Sequence, residues 1–371
     1  MPYPKFDRHR LALKKLGDRK NKIDIALSHV PVTQKPAPFD EYDSSIIIKT
    51  SERIRLAREK GRSVMLAFGA HTIKNGMAPV LIALMEEGWI THLSTNGAGI
   101  IHDWEFAFQG KSSEDVRENV DLGQFGIWDE TGFYINLALI AGAYQGLGYG
   151  ESIGKMISAE GIDIPAIHSL KMTAAGSFDS NPALSAAAAD FAEAMNRFGL
   201  QPGFLMIPHP FKRYSVQAKA YDLGIPFTGH PMIGHDIIYN HPMNLCAAVG
   251  RTAQNDFLSF TESVSRIGDG VYMSVGSAVM SPMIFEKALS MCQNIAIQEN
   301  RHIDGHFILV ADLARSDWDW QKNGEPPVDN PAYYLRYCKT FSRMGGEMHY
   351  LSADNRDFLL ALYQELKKTE K

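Results

Sequence analysis

Cysteine is scarce in this chain of 371 residues. Cys246, Cys292 and Cys338 are the whole set, widely spaced and odd in number, with no CxxC pair. That pattern argues against a disulfide framework, and a reducing cytoplasm is the expected home. Long apolar runs are missing too. Nothing approaches the roughly 20 residues that a membrane-spanning helix needs. The opening MPYPKFDRHR is charged and lacks the apolar stretch of a secretory signal. An excess of charge of one sign is also absent. The 37 Lys and Arg face 42 Asp and Glu, for a net charge of −5, which gives no case for a nucleic acid or an acidic membrane as partner. A strict GxGxxG is not present, and neither is HExxH.

What remains is an ordinary globular composition, 45% hydrophobic and 21% charged. Residues 1–45 stand apart. They begin basic (Arg8, Arg10, Lys14, Lys15, Arg19, Lys20, Lys22) and end in the proline-rich PVTQKPAPFDEYD. They read as an arm with a short helix and an extended linker, packed on a neighbouring subunit or solvated. Residues 46–371 read as one domain.

That domain alternates strand and helix. Strands are expected at 63–68, 90–94, 204–207, 225–228, 271–275, 307–311 and 347–351. Helices are expected around 77–85, 130–145, 181–198, 215–223, 256–267, 281–293 and 356–366. The alternation predicts an α/β fold with a doubly wound, mostly parallel sheet.

Ligands of such sheets lie beyond the strands' carboxyl ends. Three glycine turns fall there: Gly69-Ala70-His71-Thr72, Gly97-Ala98-Gly99 and Gly276-Ser277-Ala278. The most informative is in THLSTNGAGIIHD, where a strand runs into Gly97 and Gly99 with Thr95, Asn96, His102 and Asp103 around them. Glycine there permits a left-handed backbone and close approach of a ligand. Asp354, after the last strand, suits a ribose hydroxyl or a helix N-cap.

Two further constellations carry candidate chemistry. His209, His230, His235, Asp236 and His241 form a histidine-rich series. A metal site, a substrate or cofactor role, and structural histidines are all open for it. Lys339 lies among Tyr333, Tyr334, Tyr337 and Phe341. An apolar setting would disfavour its charge and make it an amine nucleophile; the alternative is a surface lysine.

The run from Gly69 to Glu130 resembles deoxyhypusine synthase, whose TTAGG(V/I)EED segment matches TNGAGIIHD at 95–103. The segments QGKSSEDVREN, YSVQAKAYDLGIPFTGHPMIGHDII, VGSAVMSPMIFEKAL and SADN resemble later family segments in the same order, over roughly residues 45–365. The resemblance implies a Rossmann-like NAD-binding fold, a homotetramer, and a polyamine-type substrate. It also implies that Thr95, Gly97, Gly99, His102, Gly276 and Asp354 line NAD; the turns themselves add His71, Asn96, Asp103 and Ser277 as cofactor-binding candidates. Asp236 would hold an amine. The family's paired glutamates are Ile101 and His102 here, Pro282 falls where it has histidine, and its WGK is absent, Lys339 lying out of register. Deoxyhypusine synthesis itself therefore does not carry over.

The expectation is a cytoplasmic NAD-dependent transferase or oxidoreductase. It would remove hydride from a small amine-bearing substrate, with or without group transfer. Asp236, His235, His102 and Lys339 would carry the chemistry, and no metal is expected. The alternatives are a metal-dependent hydrolase built on the histidine series and a non-catalytic NAD-binding protein.

Overall fold

The computed structural model describes residues 3–368. The chain divides into two compact units. One comprises Leu27–Gly99, Lys219–His230 and Asp256–Lys371. The other comprises Met1–Ala26, Ile100–Ala218 and Pro231–Asn255.

The first unit holds a six-stranded, all-parallel sheet. In chain order its strands are β1 (Val64–Phe68), β2 (His92–Asn96), β3 (Phe227–His230), β4 (Val271–Val275), β5 (Phe307–Asp312) and β6 (Glu347–Ser352). Across the sheet they lie in the order β3-β2-β1-β4-β5-β6. β1 and β4 are buried at every position. That is why VMLAF and VYMSV read as unbroken strands: helices cover both faces, so no polar alternation is needed. The α/β sheet is thus as expected. Two expected strands shift by about a pleat, because Ile90 and Ile225 precede the ladder rather than join it.

Phe204–Ile207 is a correction. The strand there, Gly203–Met206, pairs antiparallel with Gly161–Ile164 in a separate two-stranded ribbon of the other unit. A second ribbon in that unit pairs Asn21–Asp24 with Lys111–Glu114.

The opening segment is a further correction, because it folds into its own chain. Arg8 donates to the Tyr239 carbonyl at 2.7 Å and to Asn244. Lys15 pairs with Asp129, and Arg19 is buried against Glu105. The proline-rich stretch is pinned to the sheet unit: Val30 N–H donates to Gly76, and Ala37 N–H to Asp357 at 2.8 Å. A 19-residue helix, Glu41–Glu59, then begins at an Asp40 N-cap. Among the described residues no helix is long and apolar enough to cross a membrane.

Candidate functional site

The strand order reverses between β1 and β4. β1 leads to β2 on one side, and β4 leads to β5 on the other. Doubly wound sheets that bind dinucleotides have this order, with the ligand in the crevice outside the two carboxyl ends. Here those ends are Gly69 and Gly276. Gly69 N–H donates to Val275 O at 3.0 Å, and Gly276 N–H to Ala311 O at 2.9 Å, which extends the ladder to the rim. A Cβ on Gly69 would overlap the Gly276 carbonyl. Gly276 has φ +57° and open space where its Cβ would stand.

The helix Met280–Gln298 follows this turn. Its first backbone N–H groups lack intrahelical acceptors, which makes such an end favourable for phosphate. Ser277 is buried and its Oγ accepts the Ser281 N–H at 3.3 Å. The Tyr272 hydroxyl meets Ser281 Oγ at 2.9 Å and ties the helix start to β4. Val279, Met283 and Leu313 are exposed on the segments after β4 and β5. His71 is exposed on the short helix after β1.

Gly97 and Gly99 are not a left-handed turn. They open the helix Gly97–Gln109, and neither has positive φ. A Cβ on Gly99 would overlap the Thr95 side chain, so this glycine serves helix-on-strand packing. Thr95 is buried and its hydroxyl donates to Phe68 O at 2.8 Å. Asn96 Oδ1 accepts the Gly99 N–H at 2.9 Å. Asp354 N-caps the final helix through the Arg356 N–H at 2.9 Å and pairs with the Arg356 guanidinium.

Lys339 corrects the nucleophile argument. Its Nζ lies 2.9 Å from Glu325 and 3.4 Å from the centroid of the Tyr333 ring. The Glu325 carboxylate raises its pKa, so the ammonium form is favoured.

In the other unit Asp103 is fully buried. It accepts from the Ser215 hydroxyl at 2.6 Å, from Val216 N–H at 2.8 Å, and from Gln217. It fastens the start of the helix Val216–Leu223 and presents nothing to a ligand. Asp236 differs. It stands at the N-cap of Ile237–Asn240 without making a cap bond. Its Oδ2 is buried without a hydrogen-bond partner, and burial pushes the carboxyl up to about 7. The Tyr239 hydroxyl is likewise buried and unpartnered, and it feels the Asp236 charge. His235 is exposed beside Gly234, whose φ is +85°.

The histidine series does not converge. Among the described residues no group of three or more His, Cys, Asp or Glu side chains could hold a metal ion. His230 belongs to the sheet unit, where its Nε2 meets Thr228 Oγ1, which also meets His92. His209 is buried edge-on against the stacked rings of Trp104 and Phe108, and burial lowers it to about 4. His241 accepts the Met243 N–H on Nδ1, so its Nε2 carries the proton toward Asp129 at 3.2 Å.

One polar cluster has no counterpart in the sequence reading. Arg19 grips Glu105 through both terminal nitrogens, at 2.8 and 2.6 Å. Ser112 Oγ donates to Glu105 at 2.6 Å, and Thr131 Oγ1 at 3.1 Å. His102 Nδ1 lies 2.7 Å from Ser112 Oγ. Arg19 and Glu105 are 86 residues apart. The one sequence signal is His102 and Glu105 at i, i+3 on one helix face.

No protein-family model and no curated protein matches the chain. Among solved structures, AgrE in ternary complex with ornithine and NAD+ is similar at 15% identity and a TM-score of 0.44, over 90% of this chain and 34% of that one. ArgZ, an arginine dihydrolase from the ornithine–ammonia cycle in cyanobacteria, is similar at 15% identity and 0.39, over 88% and 33%. A conserved protein assigned to the LOR/SDH type, from Methanococcus maripaludis S2, is similar at 12% identity and 0.43, over 92% and 74%. The chain thus spans about a third of the length of AgrE and ArgZ. None of the three is a deoxyhypusine synthase, so that resemblance rests on the sequence segments alone.

Proposed function

We propose that this chain is an NAD-dependent enzyme whose cofactor lies at the switch point between β1 and β4. It would act on a small substrate with an amine or hydroxyl on the carbon that loses hydride. The observation that carries this reading is the strand order β3-β2-β1-β4-β5-β6, with the two turns at Gly69 and Gly276 side by side.

The residues present suit a dinucleotide. Gly69 has no side chain to fill the crevice, and Gly276 faces open space. The start of the helix Met280–Gln298 would take the pyrophosphate. Exposed Val279, Met283 and Leu313 offer apolar surface to a base. His71, exposed on the short helix after β1, could donate. The acid that usually ends the second strand is replaced by Asn96, which is engaged with Gly99. Gly97, Gly99, Thr95 and Asp354 then act by shaping the carboxyl ends, since their polar groups have partners of their own.

NAD supplies the hydride acceptor. The remaining work falls to the chain's own groups. Asp236 is the group we assign to a cationic substrate nitrogen, because an unpartnered buried carboxyl gains most from a charged donor. His235 and His102 are the candidates for moving a proton. Lys339 remains an ammonium held by Glu325, and no imine step is assigned to it.

We also propose self-association. The strand Gly203–Met206 pairs on one edge only, and Phe204 and Met206 are exposed along it. Such an edge favours pairing with a second copy.

The test is NAD+ reduction, followed by absorbance, against a panel of diamines, basic amino acids and their hydroxy analogues. Reduction with a cationic substrate, lost in Asp236→Asn, supports the reading. No reduction with any member, in protein that binds NAD+, would leave a non-catalytic binding protein. Failure to bind NAD+ would remove the reading altogether.

A further inference from the structure

The cluster around Glu105 fixes where the protons must be. Glu105 is buried, and although burial alone would raise its carboxyl, Arg19 overrides this and holds it below the usual range. It is therefore ionised and can only accept. Its two oxygens receive four donors: Arg19 Nη1 and Thr131 Oγ1 on Oε1, and Arg19 Nη2 and Ser112 Oγ on Oε2. A carboxylate has about four acceptor positions, so these are filled. Ser112 has a single hydroxyl proton, and it points at Glu105. The oxygen of Ser112 is then an acceptor toward His102. His102 Nδ1 must carry the hydrogen, and when the ring is neutral Nε2 bears the lone pair.

Arg19 cannot turn away from this arrangement. Its Nε donates to Asn21 Oδ1 at 2.8 Å, and its guanidinium carbon lies 5.7 Å from the centroid of the Trp128 ring. Ser112 sits on a strand that keeps Ser113 at φ +71°. For a residue other than glycine that backbone is strained, and such strain gathers at sites where geometry is held for use.

We propose that Arg19, Glu105 and Ser112 are positioning residues that lock the neutral His102 ring in the Nδ1–H tautomer, with the lone pair on Nε2. When Nε2 takes a proton, the new imidazolium is stabilised through Ser112 by the Glu105 carboxylate, which stays ionised. The chemical use of His102 rests on the hydride-transfer reading above; the tautomer lock does not.

The experiment is nitrogen NMR of the uniformly 15N-labelled full chain, without cofactor, at a pH where the ring is neutral. His102→Gln identifies the signals. The expected result is a protonated Nδ1 and an unprotonated Nε2, the reverse of the usual preference of a solvated imidazole. Ser112→Ala should return the ring to that usual preference, and Ser112→Thr, which keeps the hydroxyl, should retain the lock. An Nε2–H ring in the unaltered chain, or the same tautomer in Ser112→Ala, overturns the proposal. A merely structural Arg19–Glu105 pair predicts no tautomer preference. Because NAD is absent from the measurement, its failure leaves the cofactor reading standing, and failure of NAD to bind leaves the lock standing.

Discussion

Two pairs of histidines, one in each unit, are used in opposite ways. In the sheet unit His92 and His230 are withdrawn from chemistry. His92 lies between Ser263 Oγ and Thr228 Oγ1, at 2.8 and 3.0 Å, and Thr228 passes on to His230. No carboxylate bonds to either ring. Burial, the neighbouring His230 and Arg266 push His92 down to about 3, and burial alone takes His230 to about 3. What this unit leaves exposed at the switch point is backbone, the apolar Val279, Met283 and Leu313, and His71. In the other unit the rings of His102 and His241 are backed by carboxylates, through Ser112 to Glu105 and directly to Asp129. A histidine's partner decides its role. Hydroxyls on both sides make a neutral spacer, and a carboxylate behind one nitrogen fixes which nitrogen carries the proton.

The most forceful way to break this contrast is to remove one end of the buried pair. Arg19→Ala leaves Glu105 charged, buried and short of two donors. Such a loss costs about 3–5 kcal/mol. Urea unfolding of Arg19→Ala should show a loss of that size, and a change under 1 kcal/mol would mean that the pair is not buried as described.

The neutral rings of the sheet unit make a pH prediction. Above pH 6.5 both folded and unfolded chains hold them neutral. Below that value the unfolded chain binds protons that the folded chain refuses until about pH 3. Stability from these two rings is therefore complete at neutral pH and is lost as pH falls across that window. The slope is up to about 1.4 kcal/mol per pH unit for each ring. Urea midpoints compared at pH 7 and 5 should fall less in His230→Asn than in the unaltered chain. An equal fall in both would contradict the account.

The rim of the switch point was built on glycine, and Gly69→Ala probes it. The added methyl meets the Gly276 carbonyl, a backbone atom that cannot simply rotate aside. A loss of about 1–3 kcal/mol in stability is expected, as for other overpacked sites, together with weaker NAD+ binding by calorimetry. Gly99→Ala should cost stability in the same range with cofactor affinity retained, because its methyl meets Thr95.

Much of the sheet could be read from the sequence. VMLAF is apolar throughout, and VYMSV is so but for Ser274 and the Tyr272 hydroxyl, because both faces are covered. Phe204–Ile207 has the same look and a different place, since an apolar run does not state its partner strand. The start of the helix Cys246–Ser265 was missed by ten residues, as CAAVG offers neither a capping side chain nor a polar face. Gly97 and Gly99 suggested a turn, yet glycine also permits close packing, and Thr95 behind Gly99 settles which applies. The Arg19–Glu105–Ser112–His102 chain draws on three segments, with Arg19 and Glu105 86 residues apart. Local pattern shows only that His102 and Glu105 share one helix face. Lys339 among tyrosines was misread for a related reason: Glu325, which sets its charge state, lies outside the aromatic segment.

The smallest effect concerns that lysine. Lys339→Met should leave the urea midpoint nearly unchanged, as expected for an ion pair near the surface. Borohydride added with NAD+ and a cationic substrate should leave no adduct at Lys339, as mass spectrometry of the digested chain would show. An adduct there would restore the imine step.

The central claim is that NAD binds at the turns after β1 and β4, and calorimetric titration tests it most directly. NAD+ is added to protein shown by mass spectrometry to carry no nucleotide, in the unaltered chain and in Ser277→Asp. Aspartate is as good a helix-capping residue as serine, so the turn is kept while a negative charge enters the phosphate cradle. The account predicts saturable binding to the unaltered chain, with one NAD+ per chain, and at least about a tenfold loss of affinity, 1.4 kcal/mol, in Ser277→Asp. No heat of binding at millimolar NAD+, or equal affinity in both proteins, would contradict it.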